Sequence, residues 1–361
     1  MNNFKKIGLT ALAGSLVTLG SAVAGEMSVS GGINTTLKFG KGGGNTSRSI
    51  GNDRDVTFSG GGELDNGTTF SMNTLLDDSY DVSGTTTTIA TPSFGTFYVG
   101  TGYGLQSGRY DEEVPQAYEQ ISDAKQTMAN LVGNYMDGNA ISYTSPTFDV
   151  MGASITVDAG YAPTAADAGF GDGANDAHNA SYGEGTELGV RIAYDALQLG
   201  VYGTERKTSV PNTNTTTGQE IGDEFNGAWY VKYSMGPVSI GYSETYMDAG
   251  VTQANESINA SKTERTAGGI FEGEQLSIAF NVNDNLSISY TTSDETYDTQ
   301  DDAASSVSTD DDITETVDAL QIAYSMGGMS VKAYNMEVSN PDQDDNAPDQ
   351  SITEIALGFA F

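Results

Sequence analysis

The last eleven residues, from Ser351 to Phe361, constrain the fold more than any other stretch of the chain. Large apolar side chains occupy every second position towards the end of this segment, with small or polar residues between them. Such alternation predicts a β-strand with one apolar face. A strand that closes a barrel in lipid points such residues, here Phe359 and Phe361, into hydrocarbon or an aromatic girdle. A soluble β-sandwich ending on an amphipathic strand is the alternative.

The amino terminus has the pattern of a secretory signal. Lys5 and Lys6 precede an apolar run that ends in the small-residue motif Ala-Val-Ala at position 24. This pattern predicts a Sec-type signal peptide over residues 1–24, cleaved before a mature domain of residues 25–361. A membrane-spanning anchor is the weaker alternative, because the run is short and rich in Gly, Ser and Thr.

The composition excludes several classes of function. The chain has 49 acidic and 15 basic side chains, and loss of Lys5 and Lys6 would leave 13 basic ones and a net charge of −36. Such a charge argues against binding to nucleic acid or to anionic membrane surfaces. Because there is no Cys, disulfides, thiol catalysis and thiolate metal sites are excluded.

Period-two alternation recurs along the mature sequence and predicts sixteen strands. No apolar run after the signal approaches the roughly 20 residues of a membrane-spanning helix, whereas barrel strands need only about 9–11 alternating residues. Short turns alternate with long loops, as in a transmembrane barrel with both termini on one side. We therefore predict an all-β, 16-stranded antiparallel transmembrane β-barrel, with short turns at Asp65, Pro92, Pro146, Asp195, Gly236, Asp284 and Gly327.

One insertion, from Tyr103 to Gly138, breaks the strand rhythm. Ile121, Met128 and Leu131 recur at helical spacing, which predicts a short helix over about Pro115–Leu131.

In two of the predicted strands, a basic residue lies between outward apolar residues. This alternation places Arg191 and Lys232 on the inner wall.

Three motifs carry a family resemblance. They are Ser47-Arg48-Ser49 with the following strand and its Leu-Asp-Asn-Gly turn, the segment Phe94-Gly95-Thr96-Phe97, and the terminal strand. In their order and layout, the chain resembles the trimeric general diffusion porins of Gram-negative outer membranes, most closely those of alphaproteobacteria. The resemblance covers essentially all of the mature sequence, and the terminal strand with Phe359 and Phe361 is similar to the family's assembly signal. It implies an outer-membrane homotrimer among lipid and lipopolysaccharide that passes ions and small hydrophilic solutes by passive diffusion.

The resemblance also implies a third loop folded into the lumen, with acidic residues facing a basic wall. For the acidic side we expect Asp111, Glu112, Glu113, Glu119 and Asp123. For the basic wall we expect Lys38, Arg48, Arg54 and Lys332, on or next to the terminal strands, together with Arg191 and Lys232. Because lumen acids outnumber lumen bases, we expect a preference for cations.

Two acidic runs suggest calcium, since hard cations take several carboxylate oxygens; solvated loops without a metal are the alternative. The lone His178 has no nucleophile pattern beside it, so we expect neither an enzyme nor a catalytic cofactor. A substrate-selective channel using Tyr103, Tyr110, Tyr118 and Tyr135 stays open, as does a secreted calcium-binding all-β surface protein. The candidate calcium ligands are Asp301, Asp302, Asp310, Asp311, Asp312, Asp342, Asp344 and Asp345.

Overall fold

The computed structural model describes residues 26–42, 47–78, 81–101, 106–121, 132–133, 136, 140–165, 182–208, 223–248, 270–298 and 312–361. The predicted signal peptide lies outside the described residues. So does most of the predicted helix of Pro115–Leu131, which therefore stays a prediction.

The described chain forms one antiparallel sheet that closes on itself, because β1 pairs with both β2 and β17. Closure satisfies the backbone groups that an open edge would leave unpaired in lipid. The strand segments are β1 Glu26–Lys41, β2 Ser47–Glu63, β3 Thr69–Leu76, β4 Val82–Thr91, β5 Gly95–Thr101, β6 Ala140–Thr144, β7 Phe148–Val150, β8 Ala153–Ala162, β9 Tyr182–Tyr194, β10 Leu197–Thr208, β11 Glu224–Met235, β12 Val238–Asp248, β13 Ile270–Asn281, β14 Leu286–Asp298, β15 Ile313–Met326, β16 Met329–Ser339 and β17 Gln350–Ala360.

The predicted sixteen-stranded barrel is confirmed, because β6 and β7 are two halves of one strand that both pair with β8. The interruption falls at Pro146, which has no backbone N–H to donate. The predicted turn at Pro146 is therefore wrong. The chain turns instead at Met151 and Gly152, whose φ angles of 52° and 87° lie in the left-handed region. The Ser145 hydroxyl bridges the gap by accepting a hydrogen bond from the Val157 amide at 2.9 Å.

Some strands extend further than the sequence pattern predicts. The alternation in the sequence predicts strands that begin at about Asp53 and Thr186. β2 begins instead at Ser47, because Ser47–Asn52 pair in register with Thr35–Gly40 of β1. The extension was obscured because its outward positions hold the polar residues Arg48 and Asn52 on either side of Ile50, so no apolar alternation is visible. β9 likewise begins at Tyr182 rather than Thr186.

The outer face is apolar, as the alternation predicts. Met27, Val29 and Leu37 of β1 are exposed outward. The predicted girdle aromatics are exposed on the same face, as amphipathic rings at a membrane boundary should be; they are Tyr194, Trp229, Tyr233, Tyr290 and Tyr324.

A row of carboxylates shares the outer face at the loop end of the barrel. Glu274 lies directly opposite both Glu244 and Asp294 across neighbouring strands. The Tyr242 hydroxyl is 2.7 Å from Glu244 and 2.9 Å from Glu274. This row marks one edge of the apolar band. Among the described residues, no helix is long and apolar enough to cross a membrane.

The barrel seam depends on the last residue. The amide of Phe361 donates to the Gly31 carbonyl at 3.0 Å, and the Gly31 amide donates to the Phe361 carbonyl at 3.0 Å. We expect deletion of Phe361 to lower the folded fraction in the outer membrane, measured by heat-modifiable gel mobility. Phe361→Leu, which keeps both backbone bonds, is the control. Normal levels of the truncated protein would contradict a role for the terminal residue in assembly.

Candidate functional site: a loop inside the barrel

The connection after β5 folds inward and lies along the inner wall. We call its described part, residues 106–121, the lumen loop. Its partners on the wall follow chain order, from β6 and β8 near its start to β17 near its end. The loop is therefore a strip fastened across many strands, which narrows the lumen from that side.

Asp158 of β8 fastens the root of the loop. Its side chain is fully buried and accepts hydrogen bonds from Arg109 at 2.8 Å and from the Tyr110 hydroxyl at 2.7 Å. Arg191 of β9 donates to the same carboxylate at 2.8 Å, and Thr144 does so at 2.7 Å. One carboxylate thus holds two loop residues and a second guanidinium. Such charge-assisted bonds are shorter and stronger than neutral ones.

Tyr110 inserts between the loop and the wall. Its ring stacks on Tyr202 with centroids 4.8 Å apart, and Val132 on the returning chain packs in the same cluster. The ring fits because position 189 is glycine, where a Cβ would overlap the phenol. Burial, and then the hydrogen bond to Asp158, raise the pKa of Tyr110 well above its ordinary value. The phenol therefore stays a proton donor at physiological pH.

The middle of the loop crosses β11 to β13. Glu113 forms an ion pair with Lys232, and Glu112 is buried and accepts a hydrogen bond from Gln275 at 3.0 Å. Pro115 lies against Gly241 of the wall, where a Cβ would collide with the proline ring. The loop is thus in direct van der Waals contact with the wall here.

The far end reaches the closing strand. The Tyr118 amide donates to Gln321 at 2.8 Å, and its hydroxyl donates to Glu354 of β17 at 2.8 Å. The Lys332 ammonium lies 4.6 Å from the centre of the Tyr118 ring, within cation–π range. Burial, the charge of Glu119 and the bond to Glu354 raise the pKa of Tyr118, so this phenol also stays protonated.

The structure distributes the predicted basic residues over two faces. Arg191, Lys232 and Lys332 lie on the inner wall, where each meets the lumen loop or its anchor. Lys38 is also on the inner parity of β1. Arg48 and Arg54 are corrected to the outer face, because they stand opposite Phe39 and Ile33, two outward positions of β1.

Of the predicted acidic residues, Glu113 meets a wall cation, whereas Glu112 is buried against an amide. Asp111 and Glu119 lie half-buried on the same loop. Asp123 lies outside the described residues. The predicted arrangement, with acids on the loop and bases on the wall, therefore describes the Glu113–Lys232 pair but is reversed at Arg109 and Asp158.

Calcium binding stays a prediction. Within the described parts of the chain, no three His, Asp or Glu side chains form a group that could hold a metal ion. Those parts include Asp312, Asp342, Asp344 and Asp345. Asp301, Asp302, Asp310 and Asp311 lie outside them.

Sequence reasoning missed Asp158, Arg109 and the anchors Gln321 and Glu354. The wall residues among them had no distinct signal in the sequence, because polar and acidic inward residues are common in a water-filled barrel, as at Asp53, Asp55 and Glu295 here.

A closed barrel with an apolar outside, a polar inside and a loop across its lumen defines a transmembrane β-barrel channel. A family model described as Gram-negative porin matches residues 8–260. The chain therefore belongs to the Gram-negative porin family, and it is an outer-membrane porin for passive diffusion.

Solved porins share the fold. An OmpF from Salmonella typhi in complex with daunomycin matches with a TM-score of 0.63 and 13% identity, covering 93% of this chain and 98% of that one. An anion-selective porin from Comamonas acidovorans matches at 0.60 and 13%, covering 93% and 100%. OmpT of Vibrio cholerae, in trimer form, matches at 0.60 and 16%, covering 94% and 100%. No curated protein sequence matches the chain significantly.

Removal of the Asp158 carboxylate tests whether it anchors the lumen loop. Asp158→Ala leaves Arg109, Arg191 and Tyr110 without their shared acceptor. We expect the free energy of unfolding in urea to fall by about 3 kcal/mol, as when one partner of a buried ion pair is removed. Open-channel current noise should rise as the loop root loosens. Asp149→Ala, an exposed carboxylate on the same hairpin, is the control; equal effects of the two variants would contradict the anchoring role.

Proposed function

We propose that this porin prefers cations over anions, and that the preference arises from the wall that the lumen loop leaves uncovered. The observation that carries this proposal is the pairing of the inward cations. Apart from Lys38, every inward cation in the described part of the chain lies beside a carboxylate or within the loop contact.

Those pairings remove most of the positive charge from the pore. Arg109 and Arg191 share Asp158, while Lys232 is paired with Glu113. Arg206 is buried and donates to Glu224 at 2.6 Å, and Lys332 lies beneath Tyr118. Arg191, Lys232 and Lys332 meet the lumen loop or its anchor, so they do not form a separate basic wall facing it. We therefore do not propose a strong electric field across the lumen, of the kind that acids on the loop facing a basic wall would produce.

The uncovered wall is acidic. On β1 and β2, the inward positions include Lys38, Asp53 and Asp55, so carboxylates outnumber the single ammonium. A row of carboxylates in a water-filled pore concentrates cations and depletes anions. The effect extends about 8 Å at physiological ionic strength, so it acts mainly where the lumen is narrow.

The fold alone does not determine the sign of the selectivity, because a porin described as anion-selective shares it. The charges on the wall must therefore decide. A few exchangeable side chains on the wall therefore set whether the pore selects cations or anions.

General diffusion is favoured over a site for one solute. Tyr110 and Tyr118, two of the four aromatic residues that kept the substrate-selective alternative open, are buried against the wall. Their rings are covered and cannot stack on a passing sugar or amino acid. Tyr103 and Tyr135 lie outside the described residues.

The remaining parts of the proposal concern export and assembly. We propose that residues 1–24 are removed on export, and that the mature chain is a homotrimer in contact with outer-membrane lipid and lipopolysaccharide. The trimer form of OmpT supports the trimeric state. Permeation of ions and small hydrophilic solutes needs no chemical step, so the proposal includes neither catalysis nor a cofactor.

The test is the reversal potential of single channels under a potassium chloride gradient. We expect a cation-side reversal. Replacing both Asp53 and Asp55 with Asn should lower the cation-to-anion permeability ratio about twofold, because two fixed charges leave the narrow lumen.

Glu337→Gln is the matched control, since Glu337 lies on the outer face of β16, outside the pore. An anion-side reversal of the unaltered protein would sink the proposal. An equal change in the control would show that surface charge, not the lumen wall, sets the ratio.

A further inference from the structure

The connection between β16 and β17 does not simply extend outward. We call its residues 340–347 the mouth segment. The Asn340 side chain donates to the Thr314 carbonyl at 2.9 Å, and Gln343 donates to Glu295 at 2.8 Å. Glu295 belongs to β14, three strands away from β17. At about 4.8 Å between neighbouring strands, the segment reaches more than 10 Å around the inner wall.

Two buried carboxylates accept hydrogen bonds from this segment. Glu295 and Glu315 stand directly opposite each other on the inner faces of β14 and β15. Each is 1% exposed. The amide of Asp342 donates to Glu315 and the Gln343 side chain donates to Glu295. The Gln343 side chain is itself 2% exposed, so it is enclosed by this contact.

The backbone of the segment is held in an unusual shape. Asn340, Asp342 and Gln343 have φ angles of 49°, 65° and 48°, in the left-handed region that residues other than glycine seldom adopt. Such conformations persist where the surroundings over-determine them, and they cluster at clamps and gates. Here the result is an alternation in which Pro341 and Gln343 are buried on the wall while Asp342 and Asp344 are exposed.

The mouth segment lies closer to the loop end of the barrel than the lumen loop does. On β14 the loop contacts Ser289 and the segment contacts Glu295, six residues further along. On β15 the corresponding residues are Gln321 and Glu315, again six apart. Six residues of strand measure about 20 Å. The two elements therefore narrow the same path at different depths, on the same side of the barrel.

We propose that the mouth segment is a second constriction, in series with the lumen loop, and that Asp342, Asp344 and Asp345 present carboxylates to cations entering from the loop end. This inference goes beyond the cation preference of the wall, since it adds a separate steric element. Resistances in series add, so each element has its own share of the total resistance of the channel.

The first experiment replaces residues 341–347 with a short Gly-Ser link that keeps β16 and β17 joined. We expect single-channel conductance to rise about 1.5-fold, as expected when a pore-lining constriction is removed. The folded state is checked by heat-modifiable mobility. Unchanged conductance from a folded variant would overturn the proposal.

A second variant tests docking without shortening the chain. Glu295→Ala combined with Glu315→Ala removes both acceptors, so the mouth segment should swing away and conductance should again rise. Asn346→Ala, an exposed uncharged residue of the same segment whose side chain bonds only to the neighbouring Asp345 among the contacts described, should leave conductance unchanged. A rise in the control equal to that of the double variant would contradict the docking role.

A third measurement serves if those variants fold poorly. The chain contains no Cys, so Asp344→Cys introduces a unique thiol. A bulky thiol reagent added from the loop end should reduce conductance, whereas the same reagent on Asn283→Cys, in an exposed turn at the opposite end, should not. No reduction at position 344 would place the segment outside the ion path and overturn the inference. Conductance and reversal potential are recorded together, so failure of the wall-charge proposal is recognised separately.

Discussion

The rest of this structure depends on one constraint. The backbone amides and carbonyls at the seam between β1 and β17 must be paired. In hydrocarbon, an unpaired edge would cost several kcal/mol for each unsatisfied group. The seam is therefore made along the whole of the closing strand, from Lys41 opposite Ser351 to Gly32 opposite Ala360. Once the barrel is closed, the inner wall is a fixed surface, and loops can be fastened to it at defined positions.

The lumen loop shows how such a wall sets the width of a pore. Its attachments are polar groups that would otherwise face water, and they include ion pairs, bonds between a charged and a neutral group, and bonds between neutral groups. The two ion pairs run in opposite senses, since the loop supplies the acid in Glu113–Lys232 and the base in Arg109–Asp158. The lumen loop therefore meets the wall with both signs of charge, at two separate anchors.

Side-chain alternation was sufficient to predict the barrel, its strand number and the outward aromatic residues, because lipid on one side and water on the other impose a period of two. Alternation failed at the start of β2, where the polar residues Arg48 and Asn52 occupy outward positions, and at position 146, where a proline within a strand was interpreted as a turn. The outward face of Arg54 was visible in the sequence, because Arg54 shares the parity of Val56. The face of Arg48, which precedes the predicted strand, followed only from the pairing of β2 with β1.

The site was less predictable than the fold for a physical reason. Its contacts join residues far apart in sequence, such as Tyr118 with Gln321, and any of many inward polar residues could have served as the partner. Sequence indicated which residues could face the lumen. Only the path of the loop across the wall decided that Asp158 and Glu354 would be its anchors.

The bond from Tyr118 to Glu354 also has a consequence for the order of assembly. These residues are separated by 236 positions, and Glu354 belongs to the last strand of the chain. The anchor cannot form until that strand has been made and placed, and contacts of such long range are slow to form. The far end of the lumen loop is therefore fastened only after the final strand has docked, whereas its root at Asp158 needs only strands that precede it.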